Sequence, residues 1–317
     1  MTRTKLINIG MFYMLLGAFF FSLMNTSMKL LADSITINEN IFFRGITMVF
    51  FIILLMFIKR SKRKKHHKNK KGGYGRLVFR ALIGSLSLYA MLYNISTISL
   101  GTSVAFAQSA PIWTALFAWI ILREKPNIGV IISVIVGFIG VILISNPETS
   151  NLKIINIILG ILSGIFAALA FISIKSLKGY FDDLTIMLSF GLGASTLGII
   201  GMIILQDSFS VLGMKEYVYI LLVGITGTIG QYYITRAYTF APAGIVAPID
   251  YTRIIFSLIF GIILGDMFPD IYSIIGMCLI ILSGILVAMP IIIQEIKYTS
   301  RGRNDRNPEW KIWTLHC

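Results

Sequence analysis

The sequence predicts an all-α membrane protein of ten transmembrane helices, arranged as two inverted five-helix repeats. Three observations lead to this fold. The chain of 317 residues is 56% hydrophobic with a mean hydropathy of +0.83, far more apolar than soluble domains. Apolar windows of about twenty residues recur along it, long enough for an α-helix to cross about 30 Å of hydrocarbon. The two halves of the chain also resemble each other.

The predicted spans follow one another along almost the whole chain. Each is apolar on all sides with scattered Gly, Ser and Ala, which is typical of packed membrane helices and unlike the alternating pattern of β-barrel strands. The first is too long for a cleaved signal peptide, so we expect it to be retained. The spans are residues 10–31, 40–58, 77–98, 102–122, 128–145, 154–176, 185–205, 217–238, 243–264 and 271–293.

Basic residues set the expected orientation in the membrane. Residues 59–76 form a strongly basic loop, and outside the spans only Lys153 and Lys215 fall on the opposite side. Because cytoplasmic loops are enriched in Lys and Arg, we expect both termini in the cytoplasm of a bacterial-type inner membrane. Topology then explains the net charge of +14, and we expect no nucleic-acid partner. A specific lipid or nucleic-acid role for the loop is the alternative.

The two halves align without gaps over one long segment. Residues 97–124 align with residues 239–266, and both segments end in an acid, Glu124 and Asp266. The halves also share a Ser-x-Lys pattern, at residues 27–29 and 173–175. Both lysines lie late in a span, so we expect their side chains to reach the membrane interface.

An odd number of spans in each half makes the repeat inverted. With five spans per half, the second half enters the membrane in the opposite sense to the first, an architecture that recurs in secondary transporters. We expect the first repeat over residues 1–150, the second over 151–293, and a polar cytoplasmic tail over 294–317.

These features resemble a known family. Residues 122–126 (LREKP) close the fourth span, residues 247–270 (APIDYTRIIFSLIFGIILGDMFPD) contain the ninth, and a lysine lies late in the first. Together with the five-plus-five repeats they resemble the EamA-type branch of the drug/metabolite transporter superfamily, over residues 8–293. The resemblance implies a transporter in which the third, fourth, eighth and ninth spans surround a central cavity.

The ninth span carries an acid and a base in its interior. Since a charge at mid-bilayer costs roughly 2.5–3.5 kcal/mol on the insertion scale, Asp250 and Arg253 require compensation. At i and i+3 they can form an ion pair, either a closed pair that only fixes packing or one that faces a substrate cavity. We favour the cavity. Asp250 is also the candidate for proton coupling, because burial and the neighbouring base act on its protonation in opposite directions.

Polar residues of the neighbouring spans complete the candidate site. Tyr89 and Tyr93 share a face of the third span, and polar residues recur with the same spacing in the eighth, although each tyrosine alone fits ordinary packing. Pro111 frees a backbone carbonyl and is the candidate hinge, with a simple packing kink as the alternative. The candidate substrate-binding residues are Tyr89, Tyr93, Asn94, Gln108, Trp113, Gln231, Tyr232, Arg236, Asp250 and Arg253.

The expected function is secondary transport of a small polar organic metabolite by alternating access. The sequence has no metal-ligand, catalytic, cofactor-binding or ATP-binding pattern, and Cys278 and Cys317 indicate no disulfide framework. A proton gradient or exchange is therefore the expected energy source. One acid, one base and several aromatics fit a zwitterionic substrate, amino-acid-like or nucleotide-like. The alternatives are a membrane-embedded enzyme that modifies a lipid or metabolite, and a channel.

Overall fold

The structure, a computed structural model, describes residues 3–59, 72–110, 112–113, 116–117, 128–144, 152–177, 180–240 and 249–301. Across these ranges it confirms the all-helical prediction, with ten helices and no strand. The helices are α1 (Arg3–Leu31), α2 (Ile37–Lys59), α3 (Tyr74–Thr97), α4 (Leu100–Ala107), α5 (Ile128–Ile144), α6 (Ile154–Leu177), α7 (Asp183–Leu205), α8 (Met214–Phe240), α9 (Thr252–Ile263) and α10 (Ile271–Arg301).

Length and apolar composition make this an integral membrane protein. Within the described residues, α1, α2, α3, α7 and α8 are long and apolar enough to cross a bilayer. Shorter apolar segments lie in α5, α6, α9 and α10. Large apolar side chains also cover the outside of the bundle, with Phe57 66% and Ile203 71% exposed. Lipid, rather than water, is the solvent that such a surface requires.

Local hydrogen bonds fix the beginnings of two helices. Before α2, the Glu39 N–H donates to Thr36 Oγ1 (3.2 Å) and the Thr36 N–H donates to Glu39 Oε2 (2.8 Å). This reciprocal pair is a capping box, which satisfies two N–H groups that a helix start leaves free. Before α10, the Asp270 carboxylate accepts from the N–H groups of Tyr272 and Ser273.

The helices pack mainly in pairs that combine one helix from each half of the chain. The pairs are α1 with α8, α2 with α7, α3 with α6, α4 with α9 and α5 with α10. Further contacts join α1 to α9, α4 to α6, α2 to α8 and α3 to α7. Both helices of each pair run antiparallel: along α2, Asn38, Phe42 and Gly45 lie opposite Gly201, Gly198 and Ser195 of α7.

Glycines allow the closest of these approaches. Where α5 crosses α10, a Cβ added to Gly140 would lie 2.8 Å from the Gly276 carbonyl oxygen, and a Cβ added to Gly276 would lie 2.7 Å from that of Gly140. Two backbones are therefore in direct contact, which is how small residues stabilise helix pairs that share an apolar solvent.

Replacing Gly140 by leucine is expected to separate α5 from α10 and to destabilise the protein by about 1–3 kcal/mol, the usual effect of overpacking. Thermal unfolding of the detergent-purified protein measures the effect. Gly75→Leu is the matched control, because Gly75 also lies in a helix but has no atom within 4 Å of an added Cβ. Equal unfolding midpoints for the two variants would contradict the crossing.

Candidate functional site

An ion pair lies at the start of α9. Arg253 Nη2 donates to Asp250 Oδ1 at 2.6 Å, as the i, i+3 spacing allows. The side chains are 18% (Arg253) and 21% (Asp250) exposed. Arg253 precedes the end of α9 by ten residues, about 15 Å of helix, a length equal to half of a 30 Å hydrocarbon layer.

Gln108 joins this pair from the opposite half of the chain. It follows the last residue of α4, where its side-chain Nε2 donates to the Asp250 backbone carbonyl (2.9 Å) and to Asp250 Oδ2 (3.3 Å). The structure thus brings three predicted site residues together, which we call the ion-pair cluster: Gln108, Asp250 and Arg253. The cluster combines an amide, a carboxylate and a guanidinium, and Arg253 Nε has no hydrogen-bond partner among the described residues.

Helix α1 supplies two cluster neighbours that sequence reasoning missed. The Arg253 guanidinium lies over the Phe21 ring at 4.6 Å, a cation–π contact. Ser22 Oγ donates to the Arg253 carbonyl oxygen (3.2 Å). The ring fits because Gly230 of α8 has no side chain, and a Cβ there would lie 3.2 Å from Phe21. The contact between Gly230 and Phe21 could not be predicted from sequence, because it depends on the pairing of α1 with α8.

Two other predicted site residues, Tyr232 and Arg236, contact each other near the end of α8. Arg236 Nε donates to the Tyr232 hydroxyl oxygen (3.2 Å), and the guanidinium lies over the rings of Tyr232 (5.4 Å) and Phe240 (5.9 Å). The Phe240 ring also contacts Tyr13 of α1. Aromatic faces thus surround the Arg236 charge, which they stabilise through their quadrupoles.

The other predicted residues are dispersed. Asn94 is buried between α3 and α6, where it exchanges hydrogen bonds with Asn156. Trp113 donates to Ser109 and packs edge-on against Phe138 of α5. Tyr89 and Tyr93 on α3 and Gln231 on α8 are partly buried. Pro111, the predicted hinge, lies outside the described residues.

A second ion pair closes the end of the bundle at which α1 and α9 both terminate. Lys29 Nζ donates to Asp266 Oδ1 and to the Ile98 carbonyl oxygen (3.0 Å). Asp266 Oδ2 in turn accepts from the Leu100 N–H (2.8 Å). This arrangement, the terminal brace, connects α1, the α3–α4 junction and the end of α9. The side chains of Lys29 and Asp266 are 19% and 15% exposed, so the lysine is held inside the bundle end rather than extended along the interface.

The groups of the ion-pair cluster suit the binding of a polar molecule. Among the described residues, no group of three or more His, Cys, Asp or Glu side chains is placed to hold a metal ion. The ion-pair cluster offers one negative charge, one positive charge and amide hydrogen bonds. Such groups recognise polar or zwitterionic molecules.

Comparison with known proteins adds four findings. The profile of the EamA-like transporter family matches residues 8–146 and 154–289. An uncharacterised transporter of Helicobacter pylori is 42% identical over 301 residues, covering 94% of this chain and 99% of its own length. The pseudopaline exporter CntI of Pseudomonas aeruginosa is 28% identical over 287 residues, covering 89% and 97%. A protein crystal structure with 12% identity shares the fold, with a TM-score of 0.60 over 91% of this chain and 98% of its own.

Proposed function

Because the chain belongs to the EamA-like transporter family, we propose that it is a secondary transporter that moves a small polar organic metabolite across the bacterial inner membrane by alternating access. Residues 1–150 and 151–293 form its two inverted repeats, and residues 294–317 form a cytoplasmic tail. Both termini are cytoplasmic, so the terminal brace lies at the outer end.

The helix pairing supports the inverted repeat. The first helix of one half corresponds to the first of the other, so α1 corresponds to α6, α2 to α7, α3 to α8, α4 to α9 and α5 to α10. When each helix is replaced by its counterpart, the α1–α8 contact becomes α6–α3, α1–α9 becomes α6–α4, and α2–α8 becomes α7–α3, all of which are present. The pairs α2–α7, α4–α9 and α5–α10 map onto themselves. A twofold axis in the membrane plane produces this pattern, and such an axis lets two halves exchange conformations.

The ion-pair cluster is the observation that carries the proposed function. Gln108 and Asp250, which occupy equivalent positions in the alignment of the halves, bond each other across the α4–α9 contact. When the two repeats move against each other, a site at their junction opens to one side of the membrane and closes to the other. The free Arg253 Nε offers a donor to an anionic group, and the Asp250 carboxylate offers an acceptor to a cationic one.

Energy coupling is assigned to Asp250, and the hinge to Pro111. The Asp250 carboxylate is held by Arg253 and Gln108, so a substrate that takes over Arg253 weakens the interactions that keep the acid charged. Proton binding and substrate binding then become linked. Exchange of one metabolite for another is the second possible energy source.

Counterflow in proteoliposomes tests the function. A metabolite library is screened by thermal shift on the purified protein, and each stabilising compound is loaded into liposomes at high concentration. We expect labelled compound outside to accumulate transiently against its gradient, because an alternating carrier exchanges substrates. Flux without saturation or counterflow would indicate a channel. Conversion of the compound to a product in detergent would indicate an enzyme.

A further inference from the structure

An open cavity lies at the end of α7, in a part of the molecule that the proposed function does not use. Its volume is about 330 Å³, within the range of pockets that hold small organic groups. Three of its apolar lining residues, Ile199, Ile203 and Phe209, are also exposed on the outside of the bundle. The cavity is therefore continuous with the surface that faces lipid.

Hydrogen bonds and ring contacts hold the wall of this cavity in place. The residue after α7 adopts a left-handed backbone, and the Asp207 N–H donates to the Met202 carbonyl oxygen (2.9 Å), so the chain turns back over the end of the helix. Phe209 packs against two aromatic rings of α2. Next to it, the Ser210 N–H and hydroxyl donate to the Glu39 carboxylate at 2.6 and 2.7 Å. A ligand thus meets a preformed cavity and loses little affinity to ordering the chain.

The lining changes from apolar to polar across the membrane boundary. Helix α7 has 23 residues, about 34 Å of helix, slightly more than a hydrocarbon layer of about 30 Å. Asp207 follows its last residue by two and so lies at the level of the lipid headgroups. Ile203 and Ile199 lie one and two turns before Asp207, at the level of the acyl chains. A phospholipid molecule changes from headgroup to chain along the same direction.

The charge in the described lining is negative. Asp207 is its one charged residue, and the carboxylate is partly exposed. Asp207 Oδ2 accepts from Asn38 Nδ2 at 2.8 Å, while Oδ1 has no hydrogen-bond partner among the described residues. Gln206 and Ser208 offer further acceptor oxygens on either side. The end of α7 is also the negative end of its helix dipole, which favours a cation.

We propose that this cavity, the amine-lipid site (Ile199, Ile203, Asp207, Ser208 and Phe209), binds a phospholipid whose headgroup ends in a primary ammonium group. The ammonium donates to Asp207, and an acyl chain lies against the apolar residues. A quaternary ammonium has no N–H to donate, and an anionic headgroup is repelled by the carboxylate. The site therefore selects phosphatidylethanolamine over phosphatidylcholine with the same chains.

Lipid binding to the full-length chain in detergent tests the site. Native mass spectrometry measures retention of dioleoyl phosphatidylethanolamine and dioleoyl phosphatidylcholine, and we expect at least about threefold tighter binding of the first, the range of a partly exposed ion pair. Glycerophosphoethanolamine, which lacks the acyl chains, is expected not to bind. Anionic lipids are left out because the basic residues 59–76 attract them independently. Equal retention of the two lipids would overturn the proposal, as would binding of the chain-free compound as tight as that of the lipid.

Asp207→Asn is expected to abolish the preference, so that both lipids bind equally. Asparagine removes the charge but keeps an acceptor for Asn38. Asp33→Asn is the matched control, because Asp33 is an exposed acid outside the cavity lining, and it should keep the preference. An unchanged preference in folded Asp207→Asn contradicts the site, and so does a preference that Asp33→Asn also loses.

If Asp207→Asn does not fold, the unsubstituted protein supplies the test. Dioleoyl phosphatidylethanolamine carrying one and then two N-methyl groups is expected to bind progressively more weakly, because each methyl group removes one N–H donor. Equal affinity across this series would refute the site. The measurement records lipid retention rather than flux, so a negative result leaves the proposed transport function standing.

Discussion

Asp250→Asn is expected to reduce transport of the counterflow substrate at least about tenfold and to remove its dependence on a pH gradient. The substitution keeps the shape of the side chain but leaves Arg253 without its anionic partner. A hydrogen bond to a charged group contributes about 1.5–3 kcal/mol, and a tenfold change corresponds to about 1.4 kcal/mol. Initial uptake rates in proteoliposomes, with and without an imposed pH gradient, measure both effects.

Three further variants separate a substrate site from a closed structural pair. Asp250→Glu keeps the charge and is expected to retain pH-dependent transport. Asp33→Asn removes an exposed acid and should change nothing. The double variant Asp250→Asn, Arg253→Gln removes both charges. If the pair only fixes packing, the double variant recovers transport, because no lone charge remains buried. Full gradient-driven uptake by Asp250→Asn, with unchanged pH dependence, would refute the coupling role.

The helices could be predicted from sequence because the bilayer fixes their length and composition. A helix needs about twenty apolar residues to cross the hydrocarbon layer, so apolar windows of that length mark the helices. The predicted span 185–205, for example, nearly coincides with α7 (Asp183–Leu205). The Asp250–Arg253 pair was predictable for a similar reason, since it depends only on local helix spacing. The inverted repeat, the topology and the substrate role of these residues stay predictions.

The partners of buried polar residues could not be predicted, because they depend on which helices meet. Asn94, a predicted substrate-binding residue on α3, bonds Asn156, and no sequence pattern singled out Arg44, which is among the most buried large side chains. One partner did leave a signal. The alignment of the halves showed a shared lysine and a shared terminal acid, and the structure joins Lys29 to Asp266. Their counterparts, Lys175 and Glu124, lie outside the side chains that the structure describes.

Locking the terminal brace is expected to stop transport. In a variant with Cys278→Ser and Cys317→Ser, the changes Lys29→Cys and Asp266→Cys allow a short, reducible bis-methanethiosulfonate reagent to connect α1 to α9. If the outer end must open in every cycle, cross-linked protein retains less than about a tenth of its flux, and reduction restores it. The reason is geometric, because the brace ties α1 and the α3–α4 junction to α9, and access from that end requires these elements to separate.

The single-cysteine variants, treated with the same reagent, control for the loss of the ion pair itself. They are expected to keep transporting after treatment, because a monofunctional adduct ties no helices together. Each single variant leaves one charge without its partner in a side chain that is only 15–19% exposed, so thermal unfolding is measured first to establish that the variant is folded. Normal flux through fully cross-linked protein would mean that α1 and α9 stay together at this end throughout the cycle. Alternating access through the α1–α9 contact would then be wrong, whatever molecule the protein carries.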